Sequence, residues 1–207
     1  MLTESKRHRR ELSVELSISS SAKLISAVAL LFAMTSVNSG LLAEEVESGL
    51  CVGEFAGPFK VLDCTGPAAG KTLCYYCRYG QRPVVTIFAN EINDEVAALI
   101  KEIDSVVEKN RSRRMAAFVV YLAEDPFAAE KQLKELAEKH NIQRTPLTIF
   151  RDSQQVLQTD CKITGNAKIT VMMWVNGRVE VNHAFNAEQL DNKTIDNVIN
   201  DTGKILN

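Results

Sequence analysis

The sequence has few of the residues that build metal sites and no excess of positive charge. It contains 3 histidines among 207 residues, and its formal net charge is −2. Nucleic-acid phosphates select proteins with a basic face, so this balance argues against nucleic acid as a partner. Arg111, Arg113 and Arg114 do cluster, but they stand between two regular elements, where a solvated turn is expected.

Cysteine is also scarce, with residues at positions 51, 64, 74, 77 and 161 only. A structural zinc site takes four ligands, often from two CxxC pairs. This chain has one such pair, Cys74 and Cys77, and the isolated Cys51 and Cys64 are poorly spaced to complete a set. We therefore predict no metal and no cofactor.

The first 43 residues have the pattern of a secretory signal peptide. Residues 1–23 are net positive, an apolar run covers 24–34, and small residues lead to Ala43. The apolar run is shorter than the about 20 residues that a membrane-spanning helix needs. This order predicts a signal peptide over 1–43 that is cleaved after Ala43 or Ser39. A retained membrane anchor is the alternative.

Export would place the remaining 164 residues in an oxidising compartment, either the periplasm or the extracellular space. That part carries 19 Lys and Arg against 23 Asp and Glu, a net charge of −4. We predict no membrane contact for it after cleavage. Its length suits one domain, and we expect an irregular lead-in over 44–58 and a single domain over 59–207.

Hydrophobic periodicity predicts an α/β fold. Helical spacing follows Asn93-Asp94 and Asp125-Pro126. Asn93 or Asp94 can cap the first of these helices, and Pro126 suits the first position of the second. A last helix is expected from about Asn192. Asn176-Gly177 between two alternating runs predicts a hairpin, because both turn residues need a positive φ. Strands that alternate with helices predict a mixed central sheet with helices on both faces. The predicted strands cover residues 59–63, 83–89, 115–122, 146–150, 169–175 and 178–185.

Five segments follow one another in a characteristic order: GEFAGPFKVLDCTG (53–66), RPVVTIFA (82–89), MAAFVVYLAEDP (115–126), LKELAEKHNI (133–142) and TVMMWVNGRVEVNHAF (170–185). Together they resemble the thioredoxin-like superfamily, in particular its redoxin and peroxiredoxin-like arm, over about residues 53–206. The resemblance implies a thioredoxin-like central sheet. The chain is also similar to uncharacterised exported thioredoxin-like proteins of bacteria.

The chain departs from this family at the family's usual reactive site. There the nucleophilic cysteine follows the first core strand and begins a helix, whose free N–H groups stabilise the thiolate. Here that position reads Asn90-Glu91-Ile92-Asn93-Asp94, without a cysteine, which disfavours a peroxidase. The family's cis-proline precedes the strand facing this site, but Lys168 and Ile169 stand there instead. Thr145-Pro146 is a rival placement for that proline.

The segment Cys74-Tyr75-Tyr76-Cys77 is the best candidate for a functional site. It precedes the first core strand, and Gly80 and Pro83 leave no room for a helix after Cys77. We therefore expect no helix dipole to act on either thiol. Nearby positive charge favours a thiolate, and the neighbouring tyrosines either form a recognition surface or pack against the domain. The cations close to the pair in sequence are Lys71, Arg78 and Arg82.

Two interpretations of the cysteine pair stay open. As catalytic residues, Cys74 or Cys77 would attack the disulfide of a partner and the other would resolve the mixed disulfide, so the partners would be protein thiols or disulfides. Alternatively, the pair is a structural disulfide in a redox-inactive module that binds a protein partner. Cys51 and Cys64 are close enough in sequence to pair structurally with either member. Cys161 is a further disulfide candidate, a resolving partner or a buried free thiol.

Overall fold

The computed structural model describes residues 46–152 and 154–206, so the predicted signal peptide over 1–43 lies outside the described residues. The strands are β1 (Val61–Asp63), β2 (Thr72–Leu73), β3 (Val84–Ala89), β4 (Ala116–Tyr121), β5 (Leu147–Ile149), β6 (Ile169–Val175) and β7 (Arg178–Phe185). The α-helices are α1 (Tyr75–Tyr79), α2 (Asp94–Lys109), α3 (Pro126–His140), α4 (Gln154–Asp160) and α5 (Asn192–Asp201). None of these helices is long and apolar enough to cross a membrane.

One seven-stranded sheet organises the fold, with the strand order β2-β1-β5-β4-β3-β6-β7. The three strands β5, β4 and β3 run parallel to one another. β6 and β7 are added antiparallel beside β3, and β1 and β2 are added antiparallel beside β5. The α/β class and the mixed central sheet predicted from the sequence are therefore confirmed.

β3 is an interior strand of the sheet, and all six of its residues are buried. It pairs with β4 on one side and with β6 on the other, so that Thr86 lies between Phe118 and Met172. A strand in this position buries both of its faces, which explains why its sequence is an almost continuous apolar run.

Helices cover both faces of the sheet, as predicted. α2, α3 and α5 pack on one face, where Val96, Leu133 and Val198 are buried in a single cluster. α1 and α4 cover the opposite face, where Tyr75 and Leu157 are buried. Full burial of such a side chain stabilises the fold by about 1.5–3 kcal/mol.

The predicted helix starts are also confirmed. The Oδ1 of Asn93 accepts a hydrogen bond from the N–H of Val96 at 2.9 Å and caps α2. The Oδ1 of Asp125 accepts from the N–H of Phe127 at 2.9 Å, and Pro126 occupies the first turn of α3. In both cases a short acceptor satisfies N–H groups that have no partner inside the helix.

The described part of the lead-in, residues 46–58, crosses the end of the β6–β7 hairpin. The N–H of Gly53 donates to the carbonyl of Val179 at 2.8 Å, and the N–H of Ala56 donates to that of Gly177 at 2.8 Å. Its only strand-like contact among the described residues is an isolated bridge between Phe55 and Arg178. These backbone bonds hold the segment on the sheet face that α1 also covers.

Three described elements lie where the sequence pattern predicted none: β2, α1 and α4. β2 has two residues, too few for any period to be visible. α4 has the sequence QQVLQTD, in which Leu157 is buried against the sheet without a helical repeat to announce it. Helices as short as α1 and α4 are unstable alone, so tertiary packing creates them.

Candidate functional site

Cys74 and Cys77 form a disulfide at the start of α1, with 5.3 Å between their Cα atoms. Cys74 is the N-cap, and its Sγ accepts a hydrogen bond from the N–H of Cys77 at 3.0 Å. The expectation of a site without a helix is therefore wrong. Gly80 does end the helix, with φ +60° and its N–H on the carbonyl of Tyr76 at 3.1 Å, but the turn begins before Cys77 rather than after it.

The two cysteines differ in accessibility. Cys77 is exposed, whereas Cys74 is half-buried beneath the first turn of α1. Attack on a disulfide needs access to one sulfur along the S–S axis, and the more open residue here is the second cysteine. The sulfur of Cys74 is instead the one held by a backbone donor.

The three predicted cations form no described hydrogen bond or ion pair with the cysteine pair. Lys71 is exposed just before β2, and Arg78 is exposed in the last turn of α1. Arg82 is half-buried, with its guanidinium carbon 6.0 Å from the centroid of the Tyr79 ring. The structure thus places two of the three cations, Arg78 and Arg82, at the C-terminal end of α1.

A buried carboxylate anchors α1. Asp63 is fully buried at the end of β1, and its Oδ1 accepts from the N–H of Gly66 at 2.7 Å. Its Oδ2 accepts from the N–H of Ala68 at 2.8 Å and from the Tyr75 hydroxyl at 2.8 Å. Burial, followed by the bond to Asp63, raises the pKa of Tyr75. Asp63 was not among the residues predicted for the site, although an Asp three residues before a glycine signals a side-chain-capped turn.

The loop between β1 and β2 lies against this anchor and needs a glycine at position 66. A Cβ added at Gly66 would lie 2.5 Å from the hydroxyl oxygen of Tyr75 and 2.7 Å from the Cβ of Pro146. Both distances are closer than carbon atoms approach in packed proteins. Thr145-Pro146, the rival position for the family's proline, therefore borders the loop that packs against Tyr75 of the CxxC segment.

The tyrosines of the segment pack against the domain. Tyr75 stacks on Phe118 with 5.2 Å between ring centroids, and Tyr76 lies 6.2 Å from Trp174. The Tyr79 hydroxyl donates to the carbonyl of Ala117 at 3.3 Å. Of the two roles considered from the sequence, packing is the one the structure supports, and it is also what forms the helix.

The other three cysteines are free thiols, so the structural disulfides considered for them are not formed. Cys51 is exposed, and Cys64 and Cys161 are buried. Burial raises the pKa of Cys64 to about 12, with the nearby charges of Glu130 and Asp63 adding to the effect. Burial likewise raises the pKa of Cys161 to about 12. The pairings failed because the sulfur of Cys74 is already bonded within its own turn.

The family's usual reactive position, here called the post-β3 loop (residues 90–93), holds no cysteine in the structure. The N–H of Asn90 donates to the carbonyl of Lys168 at 2.9 Å, and its Nδ2 donates to that of Ala167 at 2.7 Å. These residues precede β6, so neither a cysteine nor a proline stands at the positions where the family carries them. The hydrogen bonds of Asn90 make the loop a structural junction, which joins the end of β3 to the segment before β6.

Within residues 46–152 and 154–206, no three His, Cys, Asp or Glu side chains are grouped closely enough to hold a metal ion. The chemistry available at the start of α1 is therefore that of two sulfurs, one backbone donor and nearby guanidinium groups. That set can support thiol–disulfide exchange without any bound group.

Comparison with known proteins identifies the fold. A scan against protein-family models finds no match, and a search of curated proteins finds none either. Solved structures do match. A candidate protein disulfide isomerase from Bacteroides thetaiotaomicron has a TM-score of 0.59 at 11% identity, covering 78% of this chain and 94% of its own.

Two further structures extend the comparison. The thioredoxin domain of a thiol-disulfide oxidoreductase from Bacteroides vulgatus has a TM-score of 0.56 at 11% identity, covering 76% of this chain and 99% of its own. The reduced 2-Cys peroxiredoxin of Plasmodium vivax has a TM-score of 0.56 at 15% identity, covering 73% and 80%. The chain therefore has the thioredoxin-like fold, shared here with both oxidoreductases and peroxiredoxins.

Proposed function

We propose that this protein exchanges thiols and disulfides with protein partners through Cys74 and Cys77. The observation that carries the proposal is a disulfide at the start of a helix, with Cys77 exposed and Cys74 capped by a backbone N–H. The thioredoxin-like fold adds support, because the similar structures include thiol-disulfide oxidoreductases.

In this proposal the sulfur of Cys77, the more exposed of the two residues, is the one that meets the partner. In the oxidised protein, a partner thiolate attacks the Cys77 Sγ, the S–S bond breaks, and the electron pair leaves on the Cys74 sulfur as a thiolate. A second thiolate of the partner then attacks the partner sulfur that is bonded to Cys77. The Cys77 sulfur leaves as a thiolate. The partner gains a disulfide and loses two electrons, which Cys74 and Cys77 hold as two thiols. The reverse sequence reduces a partner disulfide.

Cys74 suits the part of leaving and resolving thiol. A thiolate leaves more readily when a hydrogen-bond donor stabilises its negative charge. The N–H of Cys77, 3.0 Å from the Cys74 Sγ, is such a donor. Arg78 and Arg82 add positive charge at the other end of the same helix.

We also propose that the protein works after export to the periplasm or the extracellular space. The support is the sequence of residues 1–43, which has the order of a signal peptide. In such a compartment an exposed disulfide can persist between encounters with a partner.

A trapping experiment tests both the activity and the order of attack. The full-length protein is incubated with a peptide disulfide and a thiol reductant that supplies the electrons, and turnover is measured beside Cys74→Ser and Cys77→Ser; the mixed disulfide is trapped with the pre-reduced variants in the absence of that reductant. We expect turnover in the unmodified protein only, and a stable mixed disulfide on Cys77 in the Cys74→Ser variant. A mixed disulfide that forms on Cys74 of the Cys77→Ser variant and not on Cys77 of the Cys74→Ser variant would contradict the order of attack. Turnover that survives in both variants would contradict the site.

A second function has an observation of its own in its favour. Tyr75 and Tyr79 fix α1 in the core, and the post-β3 loop has no reactive residue, as in a module that uses the thioredoxin-like fold for binding alone. In that case the Cys74–Cys77 disulfide holds the turn and does not react. The absence of turnover in the trapping experiment would favour this function.

A further inference from the structure

Five arginines from separate parts of the chain converge beside α1. Three adjoining hollows of about 290, 510 and 510 Å³ all include Tyr79, the last residue of α1, in their walls. We call this surface the arginine cleft. The arginines that line it are Arg82, Arg111, Arg113, Arg114 and Arg144.

The cleft carries a strong local positive charge in a chain whose formal net charge is −2. No Asp or Glu lines any of the three hollows. Three acids lie just behind the lining residues: Glu108 pairs with Arg144 and, at 3.4 Å, with Arg111, Asp104 accepts from the N–H of Arg144 at 2.6 Å, and Asp63 accepts from the N–H of Gly66 at 2.7 Å. A solvated turn was expected for residues 111–114. Arg82 and Arg144, which are distant in sequence, lie beside that turn, and together these residues form a concave cationic surface.

Arg82 has an unused donor inside this cleft. Its Nε is buried and has no hydrogen-bond partner among the described residues. A buried N–H without an acceptor is unfavourable, and a bound oxyanion would supply the missing acceptor. Arg114, which is exposed on the same wall, forms no ion pair within the described part of the chain. Both guanidinium groups are therefore free to bind an anion.

The cleft begins at the C-terminal end of the helix that carries Cys77. Tyr79 and Gly80, which line it, follow Cys77 by two and three residues on the same helix and its cap. A polypeptide whose sulfur is bonded to Cys77 would have its neighbouring residues close to the guanidinium groups. Guanidinium groups bind carboxylates through two parallel hydrogen bonds, which gives geometric preference as well as affinity.

We propose that the arginine cleft binds an acidic segment of the partner polypeptide, close to the cysteine that exchanges with Cys77. The inference rests on the proposed function for the identity of the partner. Carboxylate groups of Asp or Glu in that segment would face Arg82 and Arg114. The site would thus select partners whose reactive cysteine has acidic neighbours.

The binding test is independent of redox chemistry. A fluorescein-labelled peptide of six glutamates is titrated with the full-length Cys74→Ser/Cys77→Ser protein, and fluorescence anisotropy is recorded beside a six-glutamine peptide. We expect binding of the acidic peptide only, and about a tenfold loss in Arg82→Gln/Arg114→Gln. Arg111→Gln, an exposed side chain with an exposed ion partner, should weaken binding without affecting folding.

The control removes the same charge from helices whose lysines do not line the cleft, in Lys131→Gln/Lys193→Gln, and should leave binding unchanged. Equal losses in this control and in the arginine variant would overturn the proposal, as would tighter binding of a single-stranded DNA oligonucleotide. A second readout is the kcat/KM for a peptide disulfide flanked by glutamates, which should fall in the arginine variant relative to a glutamine-flanked one. If exchange itself is absent, the anisotropy result still decides whether the cleft binds acidic peptides.

Discussion

The starts of α1 and α2 show the same structural device with different chemistry. At α2 the amide oxygen of Asn93 caps the first turn, and at α1 the sulfur of Cys74 caps it. The thioredoxin-like fold usually has its reactive cysteine at the start of the helix corresponding to α2. Here that start is a structural junction, and the only sulfur that caps a described helix lies before β3. Similarity of fold therefore does not locate the reactive site in this protein.

The largest difference that we expect between the cysteines is in their reaction with an alkylating reagent. Burial raises the pKa of Cys64 and Cys161 to about 12, so at pH 8 their thiolate fraction is on the order of a thousandfold below that of a free cysteine. In the native oxidised protein we expect an alkylating reagent to modify Cys51 alone. After denaturation without reductant it should modify three residues, and after reduction all five. Rapid labelling of Cys64 or Cys161 in the native state would contradict the described core.

Tyr75→Phe tests the anchor that holds the start of α1. The change removes the hydroxyl that donates to the buried Asp63 at 2.8 Å, and we expect a loss of about 1–3 kcal/mol in the free energy of unfolding. Urea unfolding with the disulfide intact measures it. Tyr121→Phe is the matched control, because that half-buried hydroxyl has no hydrogen-bond partner among the described residues. Equal effects of the two changes would show that the Asp63 contact does not matter.

Asn93→Ala tests whether the start of α2 is structural only. Loss of the cap on the N–H of Val96 should lower the free energy of unfolding by about 1 kcal/mol. Turnover of the peptide disulfide should not change, because no group in the post-β3 loop takes part in the proposed exchange. Asn93→Asp keeps an acceptor at the cap and should restore stability. A fall in turnover for a folded Asn93→Ala protein would indicate that the active site lies at the start of α2, where the thioredoxin-like fold usually has it.

Much of the fold was predictable because its signals are local. The β3 run, the caps at Asn93 and Asp125 and the Asn176-Gly177 turn each depend on residues within a few positions of one another. Sequence reasoning also identified the two cysteines and the missing cysteine in the post-β3 loop. These features need no knowledge of what the segments pack against.

The rest of the site depends on contacts between distant residues. α1 is stabilised by the contacts of Tyr75 with Asp63 and Phe118. A segment of five residues is too short for its hydrophobic periodicity to predict such contacts. The arginine cleft needs Arg82 and Arg144 beside the turn at residues 111–114, which only the folded sheet brings about. Gly80 does end α1, as its sequence predicts. Helix breakers such as Gly80 and Pro83 limit where a helix ends, but they do not show where it begins.

The reduction potential of the Cys74–Cys77 disulfide tests the central claim most directly. The full-length protein is equilibrated against thiol buffers of known potential, and the redox state of the pair is determined by alkylation and mass spectrometry, with Cys51→Ser as the background to avoid exchange with that exposed thiol. Because Cys77 is exposed and the Cys74 sulfur has a backbone donor, we expect a potential in the range of exchange proteins, roughly −270 to −120 mV. A potential below about −300 mV, together with no turnover, would mark a structural disulfide and contradict the claim.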